Sequence, residues 1–188
     1  MALTYTPTGE LGSLMPAFNL KTVDGQTWSS TSIRGAKAKV VVFMCNHCPY
    51  VKAIEDRLIQ LAKDLAKDNV PFVGICSNDP DEYAEDHPKQ LLARWREKNF
   101  GFTYLVDDGQ AVARSFGAVC TPDFFVYDDQ ERLVYRGRLD DSWRDEKKVT
   151  RRELKAAVSR ILSEPRTTEK MIVIEQTPSM GCSIKWKV

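Results

Sequence analysis

Lys39-Val40-Val41-Val42-Phe43-Met44-Cys45-Asn46-His47-Cys48-Pro49-Tyr50 is the stretch that decides the fold of this chain. Its first half is continuously apolar, which is typical of a strand buried on both faces of a sheet. After Cys48 the apolar residues recur at helical spacing, at Val51, Ile54, Leu58, Leu61 and Leu65. A Cys-x-x-C pair therefore stands where a buried strand passes into a helix.

This position gives the first cysteine, Cys45, three features that favour its thiolate. A helix N-terminus offers unpaired backbone N–H groups and the positive end of the helix dipole. His47 can carry positive charge or donate a hydrogen bond, and the thiol of Cys48 lies in the same turn. Because the thiolate is the attacking species, we predict thiol–disulfide exchange with Cys45 and Cys48 as catalytic residues and His47 as the tuning residue.

A Cys-x-x-C pair can also be half of a zinc site, which normally needs four ligands. The other cysteines, Cys76, Cys120 and Cys182, stand singly, and the only other histidine is His87. The sequence therefore predicts no metal and no other cofactor, although single residues can converge in a folded chain.

The composition bounds the class of protein. The chain has 188 residues, of which 43% are hydrophobic and 28% charged, as expected for one globular domain with extensions. A net charge of +1 gives no field that favours nucleic acid or an anionic membrane, and no stretch is long and apolar enough for a membrane span. Residues 1–16 lack the features of a signal peptide, so we expect a cytoplasmic protein with a transient, catalytic disulfide.

The order of the predicted elements indicates the fold class. A hairpin turn at Asp24-Gly25 precedes the first buried strand, residues 70–76 read as a second one, and residues 124–127 and 132–136 form a further hairpin. Strands separated by helices predict an α/β sandwich, with a central mixed sheet flanked by helices. The acidic charges of residues 77–88 are predicted to belong to a solvated loop or a helix N-terminus rather than to a metal site.

The residues around the cysteine pair resemble the thioredoxin superfamily. Its strand-then-CxxC-helix unit matches Val-Val-Val-Phe-Met before Cys45 and Cys48, and the segment from Val119 to Phe125 resembles the loop that presents a cis-proline. The resemblance implies that Thr121–Pro122 is cis and that Asn46, Thr121 and Pro122 bind substrate. It also makes Cys120, two residues before that proline, a candidate third redox thiol.

The N-terminal hairpin and Ile33-Arg34-Gly35 resemble the redoxin branch, which includes TlpA/ResA-like proteins and peroxiredoxins, over residues 10–163. The motif CNHCPY and the tail resemble an uncharacterised bacterial thioredoxin-like subgroup. Two departures stand out. Met44 replaces the usual tryptophan, and Lys39 stands where thioredoxins bury an acid, which leaves the proton acceptor for Cys48 unassigned.

The hypothesis for the reaction makes Cys45 the exposed nucleophile, which attacks a protein or small-molecule disulfide. Cys48, expected one turn deeper in the helix, then releases the reduced substrate. The lack of an export signal favours a disulfide reductase that needs a reducing partner of unknown identity. His47 stands where protein disulfide isomerases have histidine, which favours the oxidising direction.

Two rival interpretations stay open. Cys48-Pro49 resembles the cysteine–proline pair of peroxiredoxins, with Cys48 peroxidatic, but Cys45 replaces their threonine and Val41 their proline. Alternatively, Cys45, Cys48 and a third thiol bind metal, or the fold binds a partner without catalysis.

The chain is divided into a redoxin domain, residues 1–165, and a C-terminal tail, residues 166–188. The tail could add to a sheet edge, cover the site, or mediate a homodimer by swapping. Cys182 in this tail could resolve an intermediate, pair with another chain, or pack beside Trp186. Two tail segments read as strands, residues 171–174 and the alternating Ile184, Trp186 and Val188.

Overall fold

The structure is a computed structural model that describes residues 3–164 and 172–187. The helices are α1 (Pro49–Lys67), α2 (Pro88–Glu97), α3 (Ala111–Ser115) and α4 (Glu153–Ser163), with 3₁₀ turns at Ser30–Ile33, Ala84–Asp86 and Glu146–Lys148. The strands are β1 (Leu3–Tyr5), β2 (Asn19–Thr22), β3 (Thr27–Ser29), β4 (Ala38–Phe43), β5 (Phe72–Cys76), β6 (Thr103–Val106), β7 (Cys120–Thr121), β8 (Asp123–Asp128), β9 (Leu133–Gly137) and β10 (Met180–Ser183).

A central mixed sheet of seven strands has the order β3-β2-β6-β5-β4-β8-β9. Strands β4, β5 and β6 are parallel, and the other neighbours are antiparallel. This arrangement, with its flanking helices, confirms the predicted fold class. Both predicted hairpins are present, as β2–β3 and β8–β9.

The strand β4 explains the continuous apolar run before the cysteines. Val40 and Val42 face a core cluster shared with α1 and α4, whereas Val41 and Phe43 face a second cluster on the other side of the sheet. Because both faces are covered, every position of the strand is buried. The end of this strand fixes the position of the cysteine pair.

A second sheet of three strands, in the order β1-β10-β7, contains the C-terminal strand at its centre. The strand predictions for the tail are wrong where they can be compared, because residues 172–174 and 184–187 form no strand. Met171, Val188 and the predicted boundary at residue 165 lie outside the described residues.

The tail's strand falls at Met180–Ser183 for a steric reason. A Cβ atom on Gly181 would lie 1.9 Å from the Thr121 carbonyl oxygen, so glycine is what allows the two backbones to approach this closely. Ile184 and Trp186 instead lie outside any strand and pack on the second core cluster. The tail's strand is thus used within its own chain, and a homodimer through the tail stays a prediction.

Among the described residues, no helix combines the length and the apolar character needed to cross a membrane.

Candidate active site

The helix α1 begins at Pro49, and Cys48 is its N-cap residue with φ −67° and ψ 120°. A proline disfavours the helical conformation in the residue before it and fits the first helical position well. The prediction that Cys48 lies one turn inside the helix is therefore wrong. The helix N-terminus acts on Cys48 rather than on Cys45.

Both thiols are buried, with Cys45 1% exposed and Cys48 0% exposed. The prediction that Cys45 is exposed is therefore wrong, since the structure encloses it. Thr121 contacts both residues: its Oγ1 lies 3.4 Å from Cys45 Sγ, and its carbonyl oxygen accepts a hydrogen bond of 3.1 Å from the Cys48 thiol. The Thr121–Pro122 bond is cis, as predicted. The proline loop and the cysteine pair thus form one site.

The two thiols differ in acidity because they share a hydrogen bond. The bond from Cys45 lowers the pKa of Cys48 to about 5 against the opposing effect of burial, and contacts with the Thr121 side chain and the Val51 N–H lower it further. Burial, together with the same bond, raises the pKa of Cys45. The charge of the pair therefore rests on Cys48, the reverse of the order expected from the sequence.

His47 is held by a buried carboxylate. Its Nδ1 lies 2.5 Å from Asp86 Oδ2 and 3.6 Å from Cys45 Sγ, and its ring stacks on Tyr83 with 4.0 Å between centroids. Burial acts to raise the pKa of Asp86, but hydrogen bonds from His47 and Asn78 bring it below its usual value. His47 thus lies between an ionised carboxylate and the Cys45 thiol, and its tuning role stays a prediction.

Sequence reasoning missed Asp86, which lies in the loop predicted to be solvated but is only 2% exposed. Its Oδ1 accepts the backbone N–H groups of Asn46 at 2.8 Å and His47 at 3.1 Å, so it also fixes the loop between the two cysteines. One signal was available. This loop follows β5, which is parallel to β4, so both loops lie at the same edge of the sheet.

The remaining predicted residues occupy different parts of the site. Pro122 borders an open cleft together with Tyr50 and Trp143, whose rings lie 4.5 Å apart. The Asn46 side chain donates to the Gln90 carbonyl oxygen at 3.1 Å. Cys120 is buried next to Thr121, and burial raises the pKa of its thiol. Substrate binding by Asn46, Thr121 and Pro122 and a redox role of Cys120 stay predictions.

Lys39 does not replace the missing acid of thioredoxins. Its ammonium donates to the Asp128 carbonyl oxygen at 2.9 Å and lies 3.6 Å from a Glu131 carboxylate oxygen. Burial lowers the pKa of this lysine. The buried acid beside the cysteine loop is Asp86.

Cys45, His47 and Asp86 also form a candidate ligand set for a metal ion, because one donor atom from each lies within 4.8 Å of the others. The Nδ1 atom of His47 is already hydrogen-bonded to Asp86, so a metal ion would have to replace the proton between them. The absence of a metal stays a prediction from the sequence.

If the hydrogen bond from Cys45 lowers the pKa of Cys48, removing the donor should raise that pKa. In Cys45→Ala the donor is lost, so the pKa of Cys48 is expected to rise well above about 5, whereas Cys45→Ser keeps a hydroxyl donor and a low pKa. The pH dependence of Cys48 alkylation by iodoacetamide, followed by mass spectrometry, measures both. Identical titrations of the alanine and serine variants would contradict the assignment.

Comparison of the sequence and fold with those of known proteins identifies the family. The model of the AhpC/TSA family matches residues 11–136. An uncharacterized conserved protein from Geobacillus kaustophilus is 37% identical with a TM-score of 0.90, and the match covers 100% of this chain and 97% of that chain. A hypothetical protein from Sinorhizobium meliloti is 36% identical with a TM-score of 0.89, covering 98% and 99%.

A more distant likeness concerns the fold alone. A secreted Mycobacterium tuberculosis disulfide oxidoreductase homologous to E. coli DsbE is 22% identical with a TM-score of 0.59, and the match covers 76% of this chain and 95% of that chain. No curated protein matched the sequence. The thioredoxin-like fold and the redoxin branch are confirmed, whereas the subgroup indicated by CNHCPY stays a prediction.

Proposed function

The chain belongs to the AhpC/TSA family, and from this premise we propose that it is a thiol–disulfide oxidoreductase with Cys45 and Cys48 as its redox pair. One observation carries the proposal. Both thiols contact Thr121 beside the cis-proline, Cys45 at its Oγ1 (3.4 Å) and Cys48 at its carbonyl oxygen (3.1 Å), and the hydrogen bond from Cys45 lowers the pKa of Cys48 to about 5. A buried pair of this kind holds a thiolate at neutral pH, which is the species that attacks disulfides.

The attack begins at Cys45, with Cys48 as the proton acceptor that the sequence left unassigned. The Cys48 thiolate takes the Cys45 proton as Cys45 Sγ bonds to one sulfur of the substrate disulfide, and the other sulfur leaves as a thiolate. That leaving thiolate then takes the proton back from Cys48. Cys48 attacks Cys45 Sγ, releases the second substrate thiolate, and leaves a Cys45–Cys48 disulfide.

Both thiols are buried, and we assign the attack to Cys45 because the charge of the pair rests on Cys48, which makes Cys48 the proton acceptor. Contacts with Cys45, Thr121, the Val51 N–H and Cys182 surround the Cys48 sulfur. We propose that a protein or small-molecule disulfide docks at the cleft bordered by Pro122, and that an unidentified reducing partner restores the thiols.

The direction of exchange depends on the potential of the pair. The predicted cytoplasmic location favours a disulfide reductase. Stabilising the thiolate, however, stabilises the reduced form, and this raises the potential towards that of an oxidant. We therefore expect a potential less negative than that of thioredoxin, about −270 mV.

Equilibration across glutathione redox buffers, followed by alkylation and mass mapping of all thiols, tests the proposal. A Cys45–Cys48 disulfide with a potential of about −270 mV would indicate a reductase, and one with a potential of about −180 to −120 mV an oxidant or isomerase. If this disulfide forms at no potential, the proposed function is wrong.

A thiol peroxidase is the second candidate, favoured by the low pKa of Cys48 and its place at the helix N-terminus. The Cys48 thiolate would attack one peroxide oxygen, break the O–O bond and form a sulfenic acid, while the other oxygen leaves as water after protonation. Cys45 would then form the disulfide and release a second water. In this mechanism Cys48 attacks first, which is the difference that separates the two candidates.

A further inference from the structure

The C-terminal strand β10 lies directly over the proline loop. It pairs with β7 in antiparallel register, with Cys182 opposite Thr121 and Ser183 opposite Cys120. Gly181 allows the close approach to the Thr121 carbonyl described above. The strand thus places a further cysteine against the same threonine that contacts both thiols of the redox pair.

Cys182 is in contact with Cys48. Its backbone N–H is one of the groups that lower the pKa of Cys48, and its thiol is hydrogen-bonded to the Cys48 sulfur. Cys45, Cys48 and Cys182 belong to one buried core cluster. Cys48 is therefore the central sulfur of three, with Cys45 and Cys182 as its two neighbours.

We propose that Cys182 is a third redox thiol, which exchanges with the Cys45–Cys48 disulfide to form a Cys48–Cys182 disulfide. This inference rests on the proposed function, which supplies the first disulfide. The Cys182 thiolate attacks Cys48 Sγ, the Cys48–Cys182 bond forms, and the Cys45–Cys48 bond breaks. Cys45 leaves as a thiolate and takes up the proton that Cys182 released, so the step needs no additional oxidant.

The exchange is favoured only after the pair has been oxidised. In the reduced protein, burial first, and then the charge and hydrogen bond of Cys48, raise the pKa of Cys182 to about 12. A disulfide at Cys48 carries no charge, so the charge and hydrogen bond of Cys48 no longer raise the pKa of Cys182. The Cys182 thiolate then forms more readily. The step transfers the disulfide to the C-terminal strand and returns Cys45 to its thiol form.

The Cys45→Ser variant tests this pairing directly. After treatment with oxidised glutathione and alkylation, peptide mapping is expected to show Cys48–Cys182 as the main disulfide, at least tenfold above any Cys48–Cys120 disulfide. Cys120 is the internal control because it lies on the neighbouring strand β7 and is equally buried. A glutathione adduct that persists on Cys48, with Cys182 still alkylated, would overturn the inference.

The same mapping on the wild-type protein distinguishes an error in the Cys182 inference from an error in the proposed function. If wild type forms Cys45–Cys48 but Cys45→Ser forms no Cys48–Cys182, the inference is wrong and the oxidoreductase proposal stands. If wild type forms neither a Cys45–Cys48 nor a Cys48–Cys182 disulfide, the oxidoreductase proposal itself is wrong.

Substitutions at two glycines test whether the exchange requires β10 to lie against the proline loop. In Gly181→Ala the new methyl group meets the Thr121 carbonyl, and we expect Cys48–Cys182 formation, measured in the Cys45→Ser background, to slow at least tenfold. Gly109→Ala is the matched control, because a Cβ there meets no heavy atom within 4 Å. An unchanged rate in Gly181→Ala, equal to that of the control, would contradict exchange on the docked strand.

Discussion

Replacement of Cys45 by serine is expected to reduce disulfide turnover by at least about 10³-fold, because a serine hydroxyl is not ionised at neutral pH and forms no mixed disulfide. The hydroxyl still donates to Cys48, so the loss reflects chemistry rather than a collapsed site. Reduction of insulin by dithiothreitol, with the protein as catalyst, measures the effect. Full turnover by this variant would overturn the assignment of Cys45.

Cys48→Ser is expected to lose turnover as well, but at a later step. Cys45 loses its proton acceptor, but it also loses the hydrogen bond and charge of Cys48 that raise its pKa, so it still attacks, more slowly. Without a resolving thiol the mixed disulfide on Cys45 should accumulate and be visible by mass spectrometry. Cys76→Ala is the control, since Cys76 is a buried cysteine at the end of β5 that takes no part in the proposed mechanism.

The same variants separate the two candidate functions. A peroxidase would keep one rapid turnover with hydrogen peroxide in Cys45→Ser and lose it in Cys48→Ser, because Cys48 attacks first. An oxidoreductase that begins at Cys45 would show no such difference with peroxide and would lose disulfide turnover in both.

The main elements of the site could be predicted from the sequence because local patterns determine them. An apolar strand, a helical stripe and a proline loop were sufficient to bring Cys45, Cys48 and Thr121 together. The helix start was misplaced although its signal was present: Pro49 excludes a helical Cys48. The Cys-x-x-C pattern by itself predicts a helix start near Cys45, whereas the restriction that Pro49 places on the backbone of Cys48 sets the start at Pro49.

Asp86 and Cys182 depend on tertiary structure that no local pattern encodes. Asp86 lies in an acidic loop whose other charges are exposed or half-buried, and only the sheet order brings its carboxylate beneath the cysteine loop. Cys182 reaches Cys48 because β10 inserts between β1 and β7, with a glycine at the closest approach. Neither hydrophobic alternation nor composition distinguishes that strand from the rest of the tail.

Asp123→Ala is expected to cost about 3–5 kcal/mol of the free energy of unfolding, because it would leave Arg136 as an uncompensated buried charge. Asp123 is 0% exposed, and its two carboxylate oxygens accept bonds of 3.2 Å and 2.7 Å from the Arg136 guanidinium. Arg136 also donates to the Gly117 carbonyl oxygen at 2.7 Å. The pair thus anchors the segment that carries Pro122.

Urea unfolding at a pH above 6 is the appropriate measurement, since burial raises the pKa of Asp123 to about 6 and the ion pair is complete only above it. Asp64→Ala is the matched control: its partner Lys67 is exposed, and such surface pairs contribute at most about 1 kcal/mol. Asp123→Leu combined with Arg136→Met should recover most of the loss, because the large cost comes from the unpaired charge rather than from the missing contact. A loss in Asp123→Ala no larger than that in Asp64→Ala would show that water reaches Arg136 once the carboxylate is gone, and that the proline loop is not anchored by this pair.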